Sequence, residues 1–204
     1  MPDINTIIFD LGGVLIDWNP NYVFTENYFE SPEKRQYFFD HVCTADWNEN
    51  QDAGYPITKA TEEKLAEFPE WEKPINDFYG RWIDMLGGPI PETVEIFRQL
   101  KQNPGLKFYA LTNWSAETFP IALERFDFLQ WFDGRLVSGE EKMRKPYPEF
   151  YQLLMDRYQI EPSRALFIDD NLRNVKAAEA MGIKSIHYQH PAGLVEKLKK
   201  NNVF

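Results

Sequence analysis

The chain predicts an α/β fold, a doubly wound parallel sheet with a small all-helical cap, and three observations lead there. Residues 6–9 form a short run that is apolar on both faces, as strands buried within a parallel sheet are. From residue 92 onward, strand-like runs alternate with stretches of helical periodicity, the pattern of a crossover-connected parallel sheet. Between residues 21 and 86 the apolar residues fall at helical spacings and no clear strand pattern appears. That block is read as a helical insertion after the first strand. The expected division is a core of residues 1–16 and 88–204, with a cap of 17–87.

In order, residues 6–9 make the first strand, ending at Asp10 and followed by Gly12 and Gly13, which let the backbone turn sharply. In the cap, Ser31-Pro32 starts a helix, with serine as cap and proline at the first helical position. A second helix runs from 58 to 68, and another from 74 to 85, stopped by Gly87-Gly88-Pro89. Back in the core, 92–101 is a helix with Val94, Phe97 and Leu100 on one face. Residues 107–111 form the second strand, ending at Thr112-Asn113. Residues 115–125 are helical, with Pro120 placed to break or offset them. Strands at 134–138, 165–168 and 184–188 alternate with helices at 148–158, 171–181 and 192–200.

The bulk numbers exclude several functions. A net charge of −10 argues against nucleic acid or an anionic membrane as the main partner. Cys43 is the only cysteine, which rules out an internal disulfide and a cysteine-based metal site. The amino terminus has no basic, apolar leader pattern, and no apolar run approaches the ~20 residues of a membrane span. The expected setting is a reducing cytosol.

Three strands end in polar residues: Asp10, Thr112-Asn113 and Asp169-Asp170. A parallel sheet brings these ends to one rim, where such folds place their ligands. Three carboxylates in one cleft repel one another unless a cation lies between them, and an all-oxygen set suits Mg²⁺. Lys145, just before a helix, supplies a compact positive charge for an anionic group. The Thr112 hydroxyl is a natural donor to phosphate oxygens.

These residues resemble the four motifs of the haloacid dehalogenase superfamily, in the superfamily's order: Asp10-Leu11-Gly12-Gly13-Val14-Leu15, Leu111-Thr112-Asn113, Lys145-Pro146-Tyr147-Pro148, and Ile168-Asp169-Asp170-Asn171 with Asn174. The resemblance covers the whole chain and implies a Rossmann-like core with the cap inserted after motif one. It also implies a phosphatase in which Asp10 is the nucleophile and forms an aspartyl-phosphate. Mg²⁺ would be held by Asp10, the carbonyl of Gly12 and Asp170, with Asp169 either a further ligand or a neighbour supporting those ligands. Leu11, Gly12, Thr112, Asn113 and Lys145 would hold the phosphoryl group, and Asn174 would orient the acidic loop. The expected substrate is a small phosphorylated metabolite, a sugar phosphate first.

One position departs from the superfamily's usual phosphatase pattern. Gly12 stands where most members carry a second Asp as general acid and base, a group worth ~10²–10⁴ in rate. Glycine there, with the Asp-Leu-Gly and Asp-Asp-Asn sequences, resembles the superfamily's α-D-glucose-1-phosphate phosphatases. Two rival readings are a 2-haloacid dehalogenase, which needs no metal and has Ser and Asn in place of Asp169-Asp170, and a catalytically silent binding protein, supported by Gly12 alone. In the cap and at its entrance, Asp17, Trp47, Asp52 and Trp114 are candidate substrate contacts. His41 is a candidate substitute acid.

Overall fold

The computed structural model describes residues 3–204. In chain order its strands are β1 (Thr6–Phe9), β2 (Ile16–Trp18), β3 (Leu86–Pro89), β4 (Lys107–Thr112), β5 (Gly134–Val137), β6 (Ala165–Asp169) and β7 (Lys184–His187). The cap helices are α1 (Pro32–Tyr37), α2 (Ala45–Asp52), α3 (Ile57–Glu67) and α4 (Glu72–Gly80). The core helices are α5 (Pro91–Leu100), α6 (Phe119–Arg125), α7 (Ser138–Glu141), α8 (Pro148–Tyr158), α9 (Leu172–Ala180) and α10 (Pro191–Lys200).

Five strands form one sheet in the order β5-β4-β1-β6-β7, with every pairing parallel. Alternation along β1 explains its apolar sequence. Ile7 and Phe9 join Phe108, Ala110, Leu166 and Ile168 beneath α5, α6 and α10. Ile8 turns to the opposite face with Tyr109, Leu111 and Phe167, beneath α8 and α9. Both faces of the sheet are therefore covered, and β1 lies at its centre. Phe9 is level with Ala110 on β4 and with Ile168 on β6, so all three strands end at one edge.

The cap has its own core, in which Phe24 lies 5.0–6.0 Å from the rings of Tyr28, Phe29, Phe38, Phe39 and Phe78. Ser31 caps α1 through the Lys34 N–H, with Pro32 in the first turn, as the sequence pattern requires.

Two elements differ from expectation. The helix read over 74–85 ends at Gly80 and gives way to a 3₁₀ turn, Trp82–Met85. Gly87-Gly88-Pro89, whose residue types signal a helix stop, belongs instead to β3, which pairs antiparallel with β2 in a ribbon joining cap to core. Gly87 permits this, because a Cβ there would lie 2.4 Å from an Asp17 carboxylate oxygen. The helix expected from residue 115 begins at Phe119, with Pro120 in its first turn, where its missing N–H costs no helical bond. Among the described residues no helix is long and apolar enough to cross a membrane.

Candidate active site

Asp10 follows β1, and its backbone N–H extends the ladder to Ile168 O at 2.9 Å. That bond fixes where its carboxylate points. One oxygen accepts from the Leu11 N–H at 2.8 Å, and the other lies 2.9 Å from Lys145 Nζ. Lys145 is fully buried and also donates to Asp169 at 2.7 Å, so one ammonium ties two strand ends together. Asn113 positions that lysine by its backbone, accepting from Lys145 N–H at 2.8 Å and donating to Lys145 O at 3.0 Å. Asp169 is held in turn by the Asn171 N–H at 2.7 Å and by Asn174 Nδ2 at 3.1 Å to both oxygens. Thr112 Oγ1 is buried with no hydrogen-bond partner, and Thr112 is not among the residues that line the cavity above the carboxylates.

Oxygens of Asp10, Asp169 and Asp170 lie within 4.8 Å of one another. Burial, with the charges of Asp169 and Asp170, pushes the Asp10 carboxyl well above its usual range, although Lys145 opposes this. Burial and Asp169 likewise push Asp170 up, against Lys145. The Lys145 ammonium rises despite its burial, because Asp10 and Asp169 face it. A hard divalent cation such as Mg²⁺ fits this donor set, since it would hold all three carboxylates ionised.

Gly13 shows how closely the acidic loop packs. It adopts φ +73°, and a Cβ there would lie 2.3 Å from an Asp170 carboxylate oxygen. Gly13→Ala is therefore expected to cost about 1–3 kcal/mol in backbone strain and to push Asp170 out of place. Thermal melts titrated with Mg²⁺ check this; equal cation-induced shifts in variant and wild type would count against it. At Gly12, by contrast, a Cβ would meet nothing within 4 Å.

Above the carboxylates lies a cavity of about 450 Å³. Its floor includes Asp10, Gly12, Asn113, Lys145, Asp170 and Asn174, and much of its wall is aromatic: Trp18, Phe39, Phe78, Trp82 and Trp114. Of the residues singled out in the cap and at its entrance, Asp52 and Trp114 reach this cavity, and Trp114 meets Trp82 edge-on at 5.6 Å. Trp47 does not; it packs on Phe78 and Tyr79 inside the cap. Asp17 accepts instead from the Tyr22 hydroxyl. His41 packs against Tyr37 with its ring tilted by 45° at 4.7 Å, outside the cavity. Leu11, expected to donate to phosphate, gives its N–H to Asp10 here.

The sequence did not reveal a link across the mouth. Glu49 of α2 pairs with Arg144, next to Lys145, and with Arg173 of α9 at 2.6 Å. Only adjacency to two motifs hinted at these arginines. Phe39, Phe78 and Trp82 were equally hidden, because cap-core and cavity-wall aromatics share one helical spacing.

A carboxylate beside a buried lysine, at the end of a central parallel strand and under a cap, is placed where α/β folds of this kind bind their ligands. Residues 4–182 match the model of the haloacid dehalogenase-like hydrolases, and the chain belongs to that family. Two relatives are a sesquiterpene phosphatase of Aspergillus oryzae and a phosphorylated carbohydrates phosphatase of Thermotoga maritima. The first is 29% identical over 88% of this chain and 87% of its own. The second is 24% identical over 90% and 84%. A haloacid dehalogenase family enzyme of Bacteroides thetaiotaomicron, solved with magnesium and inorganic phosphate, shares the fold. Its TM-score is 0.68 at 23% identity, over 91% of this chain and 94% of that one.

Proposed function

We propose that the protein is a Mg²⁺-dependent phosphomonoesterase that works through an aspartyl-phosphate on Asp10. The observation that supports it most is Lys145, buried between Asp10 and Asp169; the Thr112 hydroxyl, at the end of the neighbouring strand β4, is buried without a partner. A fixed cation beside a carboxylate, with a spare donor on the neighbouring strand, suits an incoming phosphoryl group. Asp10, Asp169, Asp170 and the Gly12 carbonyl would hold Mg²⁺, which supplies charge neutralisation for the phosphoryl oxygens. Asp10 attacks phosphorus, Lys145, Thr112 and Asn113 hold the phosphoryl oxygens, and water completes the hydrolysis. Asn174 keeps the acidic loop in register through Asp169. Residues 17–87 act as the cap that closes over the ester, and 1–16 with 88–204 as the catalytic core. The two named phosphatase relatives, and the magnesium and phosphate held by the Bacteroides enzyme, support the same chemistry.

For the ester's body, the aromatic wall shifts the choice from a sugar towards an apolar group. Each sugar hydroxyl buried there without a partner costs ~1–3 kcal/mol. An isoprenyl or alkyl monophosphate is expected to exceed glucose 1-phosphate in kcat/KM by at least ~10-fold. Phosphate release is measured across both ester classes with Mg²⁺ and with EDTA, and chelation is expected to remove at least ~10²-fold of the rate. Halide release from 2-chloropropionate without phosphate release from any ester would instead identify a dehalogenase.

A further inference from the structure

We infer that Asp52, at the end of α2 in the cap, donates the proton to the leaving oxygen and then activates the hydrolytic water. This rests on the phosphomonoesterase reading above.

An alkoxide cannot leave phosphorus readily without a proton, and the cavity floor offers none: Asp10 and Asp170 belong to the carboxylate cluster, and Gly12 has no side chain. Lys145 is engaged by two carboxylates, and Glu49 by two arginines. Burial pushes the Cys43 thiol far above its usual range, so it holds its proton. Among the described residues no histidine or tyrosine lines the cavity. Asp52 is the remaining carboxyl of the lining, and among the described residues the two nearby arginines pair with Glu49 and not with it.

Its surroundings fix it for that task. Asn48 Nδ2 donates to one Asp52 oxygen at 3.1 Å, and the Tyr79 hydroxyl donates to Asn48 Oδ1 at 2.9 Å, which holds the amide with its NH₂ towards Asp52. Ser138 donates to the Asp52 carbonyl, anchoring the end of α2 on the core. Burial, and then Glu49, push the carboxyl up to about 7, while the Ser115 N–H and Arg144 hold it down. A proton donor with that affinity is half-loaded near neutrality, where acid and base roles can alternate. In the first step an Asp10 oxygen bonds to phosphorus and the P–O bond to the leaving group breaks. The proton passes from Asp52 to the departing oxygen, giving the alcohol. In the second, Asp52 takes a proton from water as its oxygen bonds to phosphorus and the Asp10–P bond breaks, freeing phosphate.

The test compares Asp52→Asn on two esters, an alkyl phosphate, which needs the proton, and p-nitrophenyl phosphate, whose leaving group is already a stable anion. Expected for the alkyl ester is a fall in kcat/KM of ~10²–10³, against less than ~10-fold for the nitrophenyl ester. Wild-type kcat/KM for the alkyl ester is expected to decline above pH about 7 as Asp52 loses its proton, and the variant to lack that decline. Adding Gly12→Asp, which enters open space, is expected to recover at least ~10-fold of the alkyl activity. Asp52→Ser gives the same split should Asp52→Asn not fold. Equal losses on both esters, or an unchanged pH decline, overturn the assignment. Wild-type enzyme inert on both esters overturns the phosphatase reading itself, and Asp52's role with it.

Discussion

Lys145→Met is expected to be both inactive and destabilised by about 3–5 kcal/mol, the usual cost of removing one partner from a buried ion pair. Lys145 and Asp169 are fully buried, and Asp10 nearly so, so methionine leaves two largely buried carboxylates facing each other without their counter-charge. The penalty is expected to shrink at acidic pH, where protonation neutralises the carboxyls. Added Mg²⁺ is expected to offset part of it, since a cation that binds only the folded chain stabilises it by linkage. Urea melts at pH 5 and pH 8, with and without Mg²⁺, separate these contributions. A variant as stable as wild type at pH 8 would mean that the cluster is solvated rather than locked by the lysine. Lys145→Arg is expected to fail as well. The Asn113 clamp fixes the backbone, and a fully buried slot shaped for an ammonium has no room for a planar guanidinium.

How much of this site was legible from the sequence follows from where its residues lie. Asp10, Asp169, Lys145 and Asn113 sit at strand ends or a helix start, and the parallel pattern alone sends those points to one edge. Asn174 was legible only through the family resemblance; in the structure it lies in the first turn of α9 and donates to Asp169. The cap was legible only as helices. Trp47 and Asp52 lie in one helix five residues apart, yet Trp47 enters the cap core and Asp52 reaches the cavity. Neither fate is written in their spacing, because both depend on which way α2 rolls against the core. The β2–β3 ribbon escaped for a similar reason: two adjacent glycines and a proline signal a stop, and only the partner strand turns that stretch into an edge. The Glu49–Arg144–Arg173 link joins segments far apart in the chain, which no local pattern reports.

Asp10→Asn separates chemistry from folding most cleanly. Turnover of every phosphate ester is expected to fall by at least ~10⁴-fold, because the amide cannot attack phosphorus and no other carboxylate occupies that point above Lys145. Stability should move the other way. The Asp10 carboxyl is held above its unfolded value chiefly by burial; Lys145 opposes this as the next largest effect, and Asp169 and Asp170 add to the rise. A carboxyl with a raised folded pKa binds more protons folded than unfolded, so its presence destabilises the fold increasingly as pH rises above the ordinary carboxylate range. Asparagine removes that liability and keeps an oxygen for the Leu11 N–H; its NH₂ then faces the Lys145 ammonium, which loses one acceptor but retains Asp169. The metal-free variant is therefore expected to melt a few degrees above wild type at pH 8, about 2–4 °C for each kcal/mol gained, and to lose that advantage towards pH 4. Saturating Mg²⁺ should reverse the order at pH 8, since wild type offers the cation one more carboxylate. Thermal melts over that pH range, with phospho-peptide mass spectrometry of the wild-type protein mixed with substrate, read both effects. A lower metal-free melting temperature for Asp10→Asn at pH 8 would show that the Lys145–Asp10 attraction outweighs burial and repulsion. Asp10 would then contribute to stability as well as to catalysis.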